Sequence, residues 1–255
     1  MVVAIVATVC TSIILANKLF AGAGDNPQEA PRIDVNTYEM DAFYQDDGFL
    51  RYDAAEHMVG IDVSAHQEEI DWQAVSAAGV EFAIIRAGFR GYAEGSLNED
   101  DYFRANMEGA RAAGLKIGVY FFSQARNVQE AREEAEFVCE LLADYAPDLP
   151  IFFDWELVED SARITSEEGI PLTQCAIEFC ETVKAAGYDA GVYFNQSYGY
   201  MYFDLEPLQP YTLWLAQYNP KPNFYYNFDL VQYSDAGSVD GIPGKVDLNL
   251  WILLD

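Results

Sequence analysis

The chain has 255 residues, of which 42 are acidic and 14 are basic, so its formal net charge at pH 7 is -28. Such a charge repels phosphate groups, which argues against nucleic-acid binding and against electrostatic attraction to an anionic lipid surface. The length beyond an apolar start suits one domain of roughly 200 residues, large enough to bury a substantial core.

Residues 1–23 form an apolar segment that carries no charge before Lys18. The segment is long enough for a transmembrane helix, while Ala21, Gly22 and Ala23 resemble the small residues of a signal-peptide cleavage site. The lack of a positive charge at the start favours the anchor, and a buried N-terminal helix is the third alternative. We therefore expect the rest of the chain to lie outside the cytoplasm, with membrane contact through residues 1–23 only.

Residues 24–57 are rich in Asp, Glu, Asn and Pro and contain few aliphatic side chains. This composition is typical of a solvated tether, so we expect an acidic linker here. Residues 58–255 then form the folded domain.

An Ala-Ala-Gly triplet followed by an apolar run occurs three times in this domain, ending at Gly79, Gly114 and Gly187. Glycine just after a helix adopts the left-handed conformation that ends it, and the β-branched and aromatic residues that follow favour a strand. Between the triplets, residues 128–145 carry apolar side chains at spacings of three and four, as an amphipathic helix does. Apolar strands that alternate with such helices indicate a parallel sheet covered by helices.

Eight segments of the domain have the composition of strands. They are MVGIDVS, EFAIIRAG, LKIGVYFF, PIFFDWE, YDAGVYF, YTLWLAQY, FDLVQY and KVDLNLWI. Eight parallel-type strands predict a (β/α) barrel of the TIM-like kind, whose last third is irregular and poor in helices because the final strands follow one another closely. The alternative, an open doubly wound sheet, lacks its glycine-rich phosphate signature.

Polar residues gather at the carboxyl ends of these predicted strands, and in a barrel those ends meet at one mouth. The residues concerned are Asp62, Ser64, Arg86, Tyr120, Ser123, Asp154, Glu156, Tyr193, Asn195, Gln217, Gln232, Asp247 and Asn249. Aromatic residues such as Trp214 and Tyr218 are more often core than ligand contacts, but at a mouth some would suit stacking on sugar rings. We therefore expect the functional site at this mouth.

The stretch LPIFFDWE places two carboxyl groups on an otherwise apolar strand. Because side chains alternate along a strand, Phe152, Asp154 and Glu156 share the face that looks into the barrel, and Trp155 lies on the other face. Two carboxyl groups so close disfavour each other's ionisation, so one of them keeps a proton at neutral pH. A protonated carboxyl group beside a charged partner is what a general acid for glycoside cleavage requires.

Simpler interpretations compete with this one. Asp62 alone could cap the following loop, and Asp247 alone could pair with Lys245. The four carboxylates Asp62, Asp154, Glu156 and Asp247 could also bind calcium or magnesium, although we expect no metal and no cofactor. The chain has two histidines, which makes a His-rich zinc site or a Ser-His-Asp triad a poor candidate.

These residues resemble the glycoside hydrolase family 25 muramidases, often called the Chalaropsis-type lysozymes. The resemblance runs from Val59 to Trp251 through GIDVSAHQEEIDW, FAIIRAG, AAGLKIGVYFFSQA, LPIFFDWE, AGYDAGVYFN, LWLAQY and VQYSDAGSVDGIPGKVDLNLW. It implies a (β/α) barrel with fewer helices in its last third. The chain departs from the family's pattern at His66, a position that is often aromatic in the family, and at Glu68-Glu69, where the family more commonly has glycine.

Carried to this chain, the resemblance implies that Glu156 is the general acid/base and that Asp154 orients the substrate's N-acetyl group, which itself attacks the anomeric carbon with retention of configuration. Asp62 is placed with them as a catalytic residue. The expected substrate-binding residues are Asp247, Tyr120, Tyr193, Trp214, Gln217 and Gln232.

The resulting expectation is a monomeric, extracytoplasmic muramidase that cleaves the β-1,4 bond between N-acetylmuramic acid and N-acetylglucosamine in peptidoglycan glycan strands. The bond specificity follows from the resemblance alone. Two alternatives stay open, namely a glycan-binding module without turnover and a chitin-type glycosidase on the same barrel.

Overall fold

The structure is a computed structural model in which residues 33–158 and 163–254 are described, and one nine-stranded sheet organises most of them. The strands of the described residues are β1 (Phe43–Asp46), β2 (Phe49–Tyr52), β3 (Glu56–Val63), β4 (Phe82–Arg90), β5 (Leu97–Glu99), β6 (Lys116–Ser123), β7 (Ile151–Trp155), β8 (Ala190–Asn195), β9 (Thr212–Ala216), β10 (Leu230–Gly237) and β11 (Val246–Leu253). The α-helices in the same residues are α1 (Trp72–Ala77), α2 (Phe103–Ala112), α3 (Val128–Leu141), α4 (Leu172–Ala185) and α5 (Gln196–Met201).

Eight of the strands close into a barrel. The order is β3-β11-β10-β9-β8-β7-β6-β4, and a further pairing of β3 with β4 completes the ring, while β5 extends β4 outside it. Strand β11 runs antiparallel to both β10 and β3. The other neighbours within the ring are parallel. The eight predicted segments thus become the eight strands of the barrel.

The predicted (β/α), TIM-like architecture is nevertheless wrong, because the molecule is a β-barrel with few helices. Only α2, α3 and α4 reach ten residues or more among the described residues. A parallel connection needs about a dozen residues or more. Between Gly237 and Val246 lie only residues 238–245, so the chain turns straight back and β11 is antiparallel.

The barrel interior is filled by side chains that alternate with those packed outside. Phe82, Phe152 and Trp214 are completely or almost completely buried in one interior cluster, together with Met58, Ile84 and Leu230. Gly60 and Gly191 make room for this filling, since a Cβ at either position would collide with the ring of Phe82 or Phe152. The interior is therefore a packed floor, and the mouth above it is open to a ligand.

Residues 33–57, within the stretch expected to be a linker, are packed on the barrel. Strands β1 and β2 form an antiparallel hairpin whose Phe43, Phe49 and Leu50 belong to the main hydrophobic core. Residues from Ile33 onward form one compact unit with the barrel. The expected anchor or signal segment, residues 1–23, lies outside the described residues, and no helix within them is both long and apolar enough to cross a membrane.

Candidate active site

Strand β7 carries Asp154 into the top of the barrel interior. Its neighbours Phe153 and Trp155 point to the outer core, where the Trp155 Nε1–H donates to the carbonyl oxygen of Ala125 at 2.9 Å. Asp154 is 6% exposed, and its Oδ1 has no hydrogen-bond partner among the described residues. Burial, followed by the charge of Glu156, raises the pKa of Asp154 well above its usual range.

Glu156 follows directly after β7 and is half-buried at the mouth. Its main-chain oxygen accepts a hydrogen bond of 2.6 Å from Nε2 of the buried Gln124. The next amide, that of Leu157, donates to the hydroxyl of Tyr198 at 3.2 Å. Burial and the charge of Asp247 raise the pKa of Glu156. The backbone on both sides of the acid is therefore held, while its carboxyl group favours the protonated form.

Asp62 and Asp247 form a second pair of carboxyl groups. Their Cα atoms are register partners across β3 and β11. Burial raises the pKa of Asp247 to about 8, with the charge of Asp62 as the next cause. Burial also raises the pKa of Asp62, although its hydrogen bonds with Gln232, Asn249 and Asp247 oppose the rise. The hydrogen bond between the two carboxyl groups keeps the proton on Asp247 and favours the ionised form of Asp62, so the pair shares one proton.

Two side-chain amides orient Asp62. Its Oδ2 accepts hydrogen bonds from Gln232 Nε2 at 2.9 Å and from Asn249 Nδ2 at 2.7 Å. The amides are fixed in turn, since Gln232 Oε1 accepts from the hydroxyls of Tyr193 at 3.1 Å and Tyr218 at 3.2 Å. The Asp62 oxygen that accepts both bonds is thereby stabilised in its ionised form.

Trp214 completes this network from below. Its Nε1–H donates to Asn249 Oδ1 at 2.9 Å, and the ring is 1% exposed. Tyr120 is also buried, with its ring edge-on to that of Trp214 at a centroid distance of 6.2 Å. Predicted as substrate contacts, Trp214, Tyr120 and Gln232 lie in the floor of the site, where they contact other protein groups.

A cavity of about 700 Å³ opens beside Glu156. Its walls come from the end of β8, the start of α5 and the chain after β9, and they consist of Glu156, Tyr193, Asn195, Gln196, Ser197, Tyr198, Ala216, Gln217, Tyr218 and Asn219. Of the predicted site residues, Glu156, Tyr193 and Gln217 reach this cavity. Asp62 and Asp154 are buried, and Asp247 is half-buried.

The sequence reasoning missed the wall formed by Gln196, Ser197, Tyr198 and Asn219. A signal for part of it exists, because Asn195 is a favoured helix-capping residue and its Oδ1 accepts from the amide of Tyr198 at 3.1 Å. That cap turns the chain into α5 at the cavity edge. Gln217 is tied into the same wall by reciprocal hydrogen bonds of 2.8 Å with Asn223.

Arg86 supplies positive charge near the site. Arg86 projects from β4 and forms an ion pair with Asp100, with Nε 2.7 Å from Oδ2. Its charge favours the ionised form of Asp154 and partly offsets the surrounding carboxylates. Within residues 33–158 and 163–254, no group of three or more His, Cys, Asp or Glu side chains is arranged to hold a metal ion.

The fold and the site together define a class of protein, a closed β-barrel with four carboxyl groups at one mouth beside a cavity. A sequence model of the family described as Glycosyl hydrolases family 25 matches residues 61–242. The match covers more than half of the chain, so the chain belongs to glycosyl hydrolase family 25.

Individual relatives agree with this assignment. The chain is 31% identical over 196 residues to an autolytic lysozyme of Clostridium acetobutylicum, covering 75% of this chain and 55% of that protein. It is 28% identical over 203 residues to lysozyme M1 of Streptomyces globisporus, covering 74% and 66% respectively. The chain therefore spans about half to two thirds of the length of these relatives.

Among solved structures, a family 25 glycosyl hydrolase from Bacillus anthracis superposes with a TM-score of 0.60. The two chains are 23% identical, and the superposition covers 80% of this chain and 93% of the other. At this identity the likeness supports the fold alone.

Proposed function

We propose that this chain is a muramidase that hydrolyses the β-1,4 bond between N-acetylmuramic acid and N-acetylglucosamine in peptidoglycan. The observation that carries the proposal is that, among the described residues, Glu156 supplies the acidic group of the cavity lining, while Asp154 lies buried two residues earlier on β7. Family membership and the likeness to two lysozymes support the substrate class.

Glu156 acts first as the acid. Its burial favours the protonated carboxyl group, which donates its proton to the glycosidic oxygen as the bond to the anomeric carbon breaks. The carbonyl oxygen of the substrate's own acetamide attacks that carbon from the opposite face. Glu156, now ionised, then takes a proton from the water that opens the cyclic intermediate, and configuration is retained.

Asp154 orients the acetamide. Its buried Oδ1 has no hydrogen-bond partner in the described part of the chain and is available to accept a hydrogen bond from the acetamide N–H. Asp62 and Asp247 supply charge and a shared proton next to this position. Tyr193 and Gln217 contact the sugar in the cavity. Gln232 acts through its hydrogen bond to Asp62, Trp214 acts on Asp62 through Asn249, and Tyr120 packs against the ring of Trp214.

The catalytic unit in this proposal is the barrel expected at residues 58–255 together with residues 33–57 packed on it. Because peptidoglycan lies outside the cytoplasm, we propose that the enzyme works there. Attachment to the membrane through residues 1–23 and a monomeric state stay predictions from the sequence.

The test measures release of reducing ends from purified peptidoglycan by the parent and by Glu156→Gln. The variant should lose about 10²- to 10⁴-fold in rate, the usual contribution of a positioned general acid. Glu133→Gln, on the exposed side of α3, is the matched control and should keep the parent's rate.

Mass analysis of the products identifies the bond, and NMR of the anomer formed first checks retention. Equal release by the parent and Glu156→Gln would remove Glu156 from its role. Tight peptidoglycan binding with no release by the parent would indicate a binding module, and activity on chitin alone would indicate a chitin-type glycosidase.

A further inference from the structure

A cluster of exposed tyrosines lies beyond the cavity wall. Tyr200 is 46% exposed and Tyr225 is 62% exposed, and both belong to a chain of contacting rings that rests on the buried Phe224. Ring centroids are 4.6 Å apart for Tyr200 and Phe224, 6.2 Å for Tyr200 and Tyr226, and 5.1 Å for Tyr225 and Tyr226. We call Tyr200, Tyr225 and Tyr226 the tyrosine surface. Contiguous exposed aromatic area of this kind marks an interaction site more often than an isolated ring does.

The tyrosine surface is held in place by hydrogen bonds. The amide of Tyr225 donates to the hydroxyl of Tyr200 at 2.9 Å, and its carbonyl oxygen accepts from the amide of Asn36 at 2.9 Å. Asn36 Nδ2 also donates to the carbonyl oxygen of Phe224 at 3.0 Å. Because these groups are ordered by folding, a ligand that stacks on the rings loses little free energy to ordering them.

The tyrosine surface is continuous with the cavity along two elements. Helix α5 lines the cavity with its first residues, Gln196 to Tyr198, and carries Tyr200 two residues further on, a rise of about 3 Å along the helix axis. The chain after β9 lines the cavity at Tyr218 and Asn219 and then reaches Tyr225. Tyr200 and Tyr225 therefore lie on the same two chain segments that form this wall of the cavity.

The chemistry of the tyrosine surface selects a neutral ligand. The two segments that form it, residues 195–203 and 222–228, contain no Asp, Glu, Lys or Arg, although the whole chain has a net charge of -28. The exposed Asp34 lies beside Tyr226 at one edge of the surface and disfavours an anionic ligand, while the rings offer flat faces and phenolic hydroxyls. Neutral sugar rings, which have apolar faces and polar edges, match both features.

We propose that the tyrosine surface binds sugar residues of the glycan strand that extend beyond the cavity. The inference rests on the proposed muramidase function for the identity of the polymer. A cavity of about 700 Å³ has the size of a site for a small ligand, so a longer strand must continue over the rim. The rings then increase affinity for long strands without touching the bond that is cleaved.

The test compares Tyr200→Ala and Tyr225→Ala with the parent on two substrates, long glycan strands and a short soluble oligosaccharide that fits within the cavity. On long strands each variant should raise KM about three- to tenfold, the range of a lost aromatic contact. On the short substrate KM and kcat should stay at the parent's values. Tyr225→Phe keeps the ring and should bind long strands as the parent does.

Tyr44→Ala is the matched control, because Tyr44 is 42% exposed on β1 and lies outside both the cavity and the tyrosine surface. An unchanged KM on long strands in Tyr200→Ala and Tyr225→Ala would overturn the inference. An equal rise of KM on both substrates would also overturn it, by indicating a general effect on the cavity.

Co-sedimentation with insoluble peptidoglycan separates this inference from the proposed function. If Glu156→Gln cleaves as well as the parent, while Tyr200→Ala still weakens co-sedimentation, the catalytic proposal fails and the tyrosine surface stands. If Glu156→Gln is inactive and both tyrosine variants sediment as the parent does, the catalytic proposal stands and the tyrosine surface fails.

Discussion

Asp62 and Asp247 face each other across an antiparallel strand pair, and the direction of β11 is the reason they meet. In a parallel strand Asp247, near the start of β11, would lie at the opposite end of the barrel from the mouth. Because β11 is reversed, its first residues reach the mouth and its last residues, toward Leu253, pair with the start of β3 at Glu56. The four-carboxyl site therefore depends on the departure from an all-parallel barrel.

We expect Asp247→Asn to stabilise the protein increasingly as pH rises. In the unfolded chain Asp has a pKa of about 4, whereas burial and Asp62 raise that of Asp247 to about 8. Between these values the folded state holds a proton that the unfolded state has released, so this group lowers stability as pH rises and its full penalty applies above pH 8. Asparagine removes the penalty.

Urea unfolding at pH 4.5 and pH 8 measures the effect. The free energy of unfolding of Asp247→Asn should equal that of the parent at pH 4.5 and exceed it by roughly 0.5–2 kcal/mol at pH 8. The increase is limited because Asp247 keeps part of its surface in water. A gain of the same size at both values would contradict the shared-proton interpretation. Muramidase activity should fall, since the variant lacks the proton-sharing carboxyl group.

Asn249→Asp tests whether Asp62 must be held in its ionised form. The substitution replaces an amide donor 2.7 Å from Asp62 Oδ2 with a carboxyl group of the same shape. A carboxyl group there competes with Asp62 for one proton and raises the apparent pKa of the pair, so the acidic limb of the kcat/KM profile should move to higher pH by about one unit or more.

Asn106→Asp is the matched control for Asn249→Asp. Asn106 is 2% exposed on α2, away from the cavity, and its Nδ2 has no hydrogen-bond partner within residues 33–158 and 163–254. This control should lose stability by about 1–3 kcal/mol, as buried polar changes do, and keep the parent's pH profile. Equal shifts in the two profiles would show that the effect of Asn249→Asp is general destabilisation.

Local sequence patterns predict part of this architecture. Apolar composition identifies the strands, and alternation places Asp154 on the interior face with Phe152, as the structure has it. Strand direction is not written in a strand's own composition, since the short connection before Val246 decides it. The bonds from Gln232 and Asn249 to Asp62 join residues 170 and 187 positions apart, so no local pattern predicts them.

Gly191→Ala should disturb the barrel floor directly beneath the site. A Cβ at Gly191 would collide with the ring of Phe152 and approach the carbonyl oxygen of Thr212 to 2.7 Å. Overpacking of this kind costs typically about 1–3 kcal/mol. Adding Phe152→Leu makes room, so the double variant should recover part of the loss, and a double-mutant cycle from urea unfolding measures the coupling. Additive losses would contradict the assigned contact.

Glu134→Ala removes the buried partner of Arg90 behind the mouth. Arg90 is 4% exposed, with its Nε 2.7 Å from Oε1 of the fully buried Glu134. Glu134 Oε2 also accepts from Ser123 Oγ at 2.5 Å, next to the Gln124 that holds the main chain of Glu156. Leaving a buried guanidinium without this carboxylate should lower the free energy of unfolding, measured in urea, by about 3–5 kcal/mol. It should also lower kcat, because Gln124 would no longer hold the main chain of Glu156 in place.

Glu133→Ala is the matched control for Glu134→Ala, because Glu133 approaches the same guanidinium at 3.3 Å but its side chain is 43% exposed. An exposed ion pair contributes little, so this variant should stay within about 0.5 kcal/mol of the parent and keep its kcat. The difference between the two neighbours isolates burial as the cause, since both lose a carboxylate from one turn of α3 beside one arginine. Equal losses in the two variants would mean that Arg90 is held by its carbonyl contacts with Gly95 and Glu130 instead.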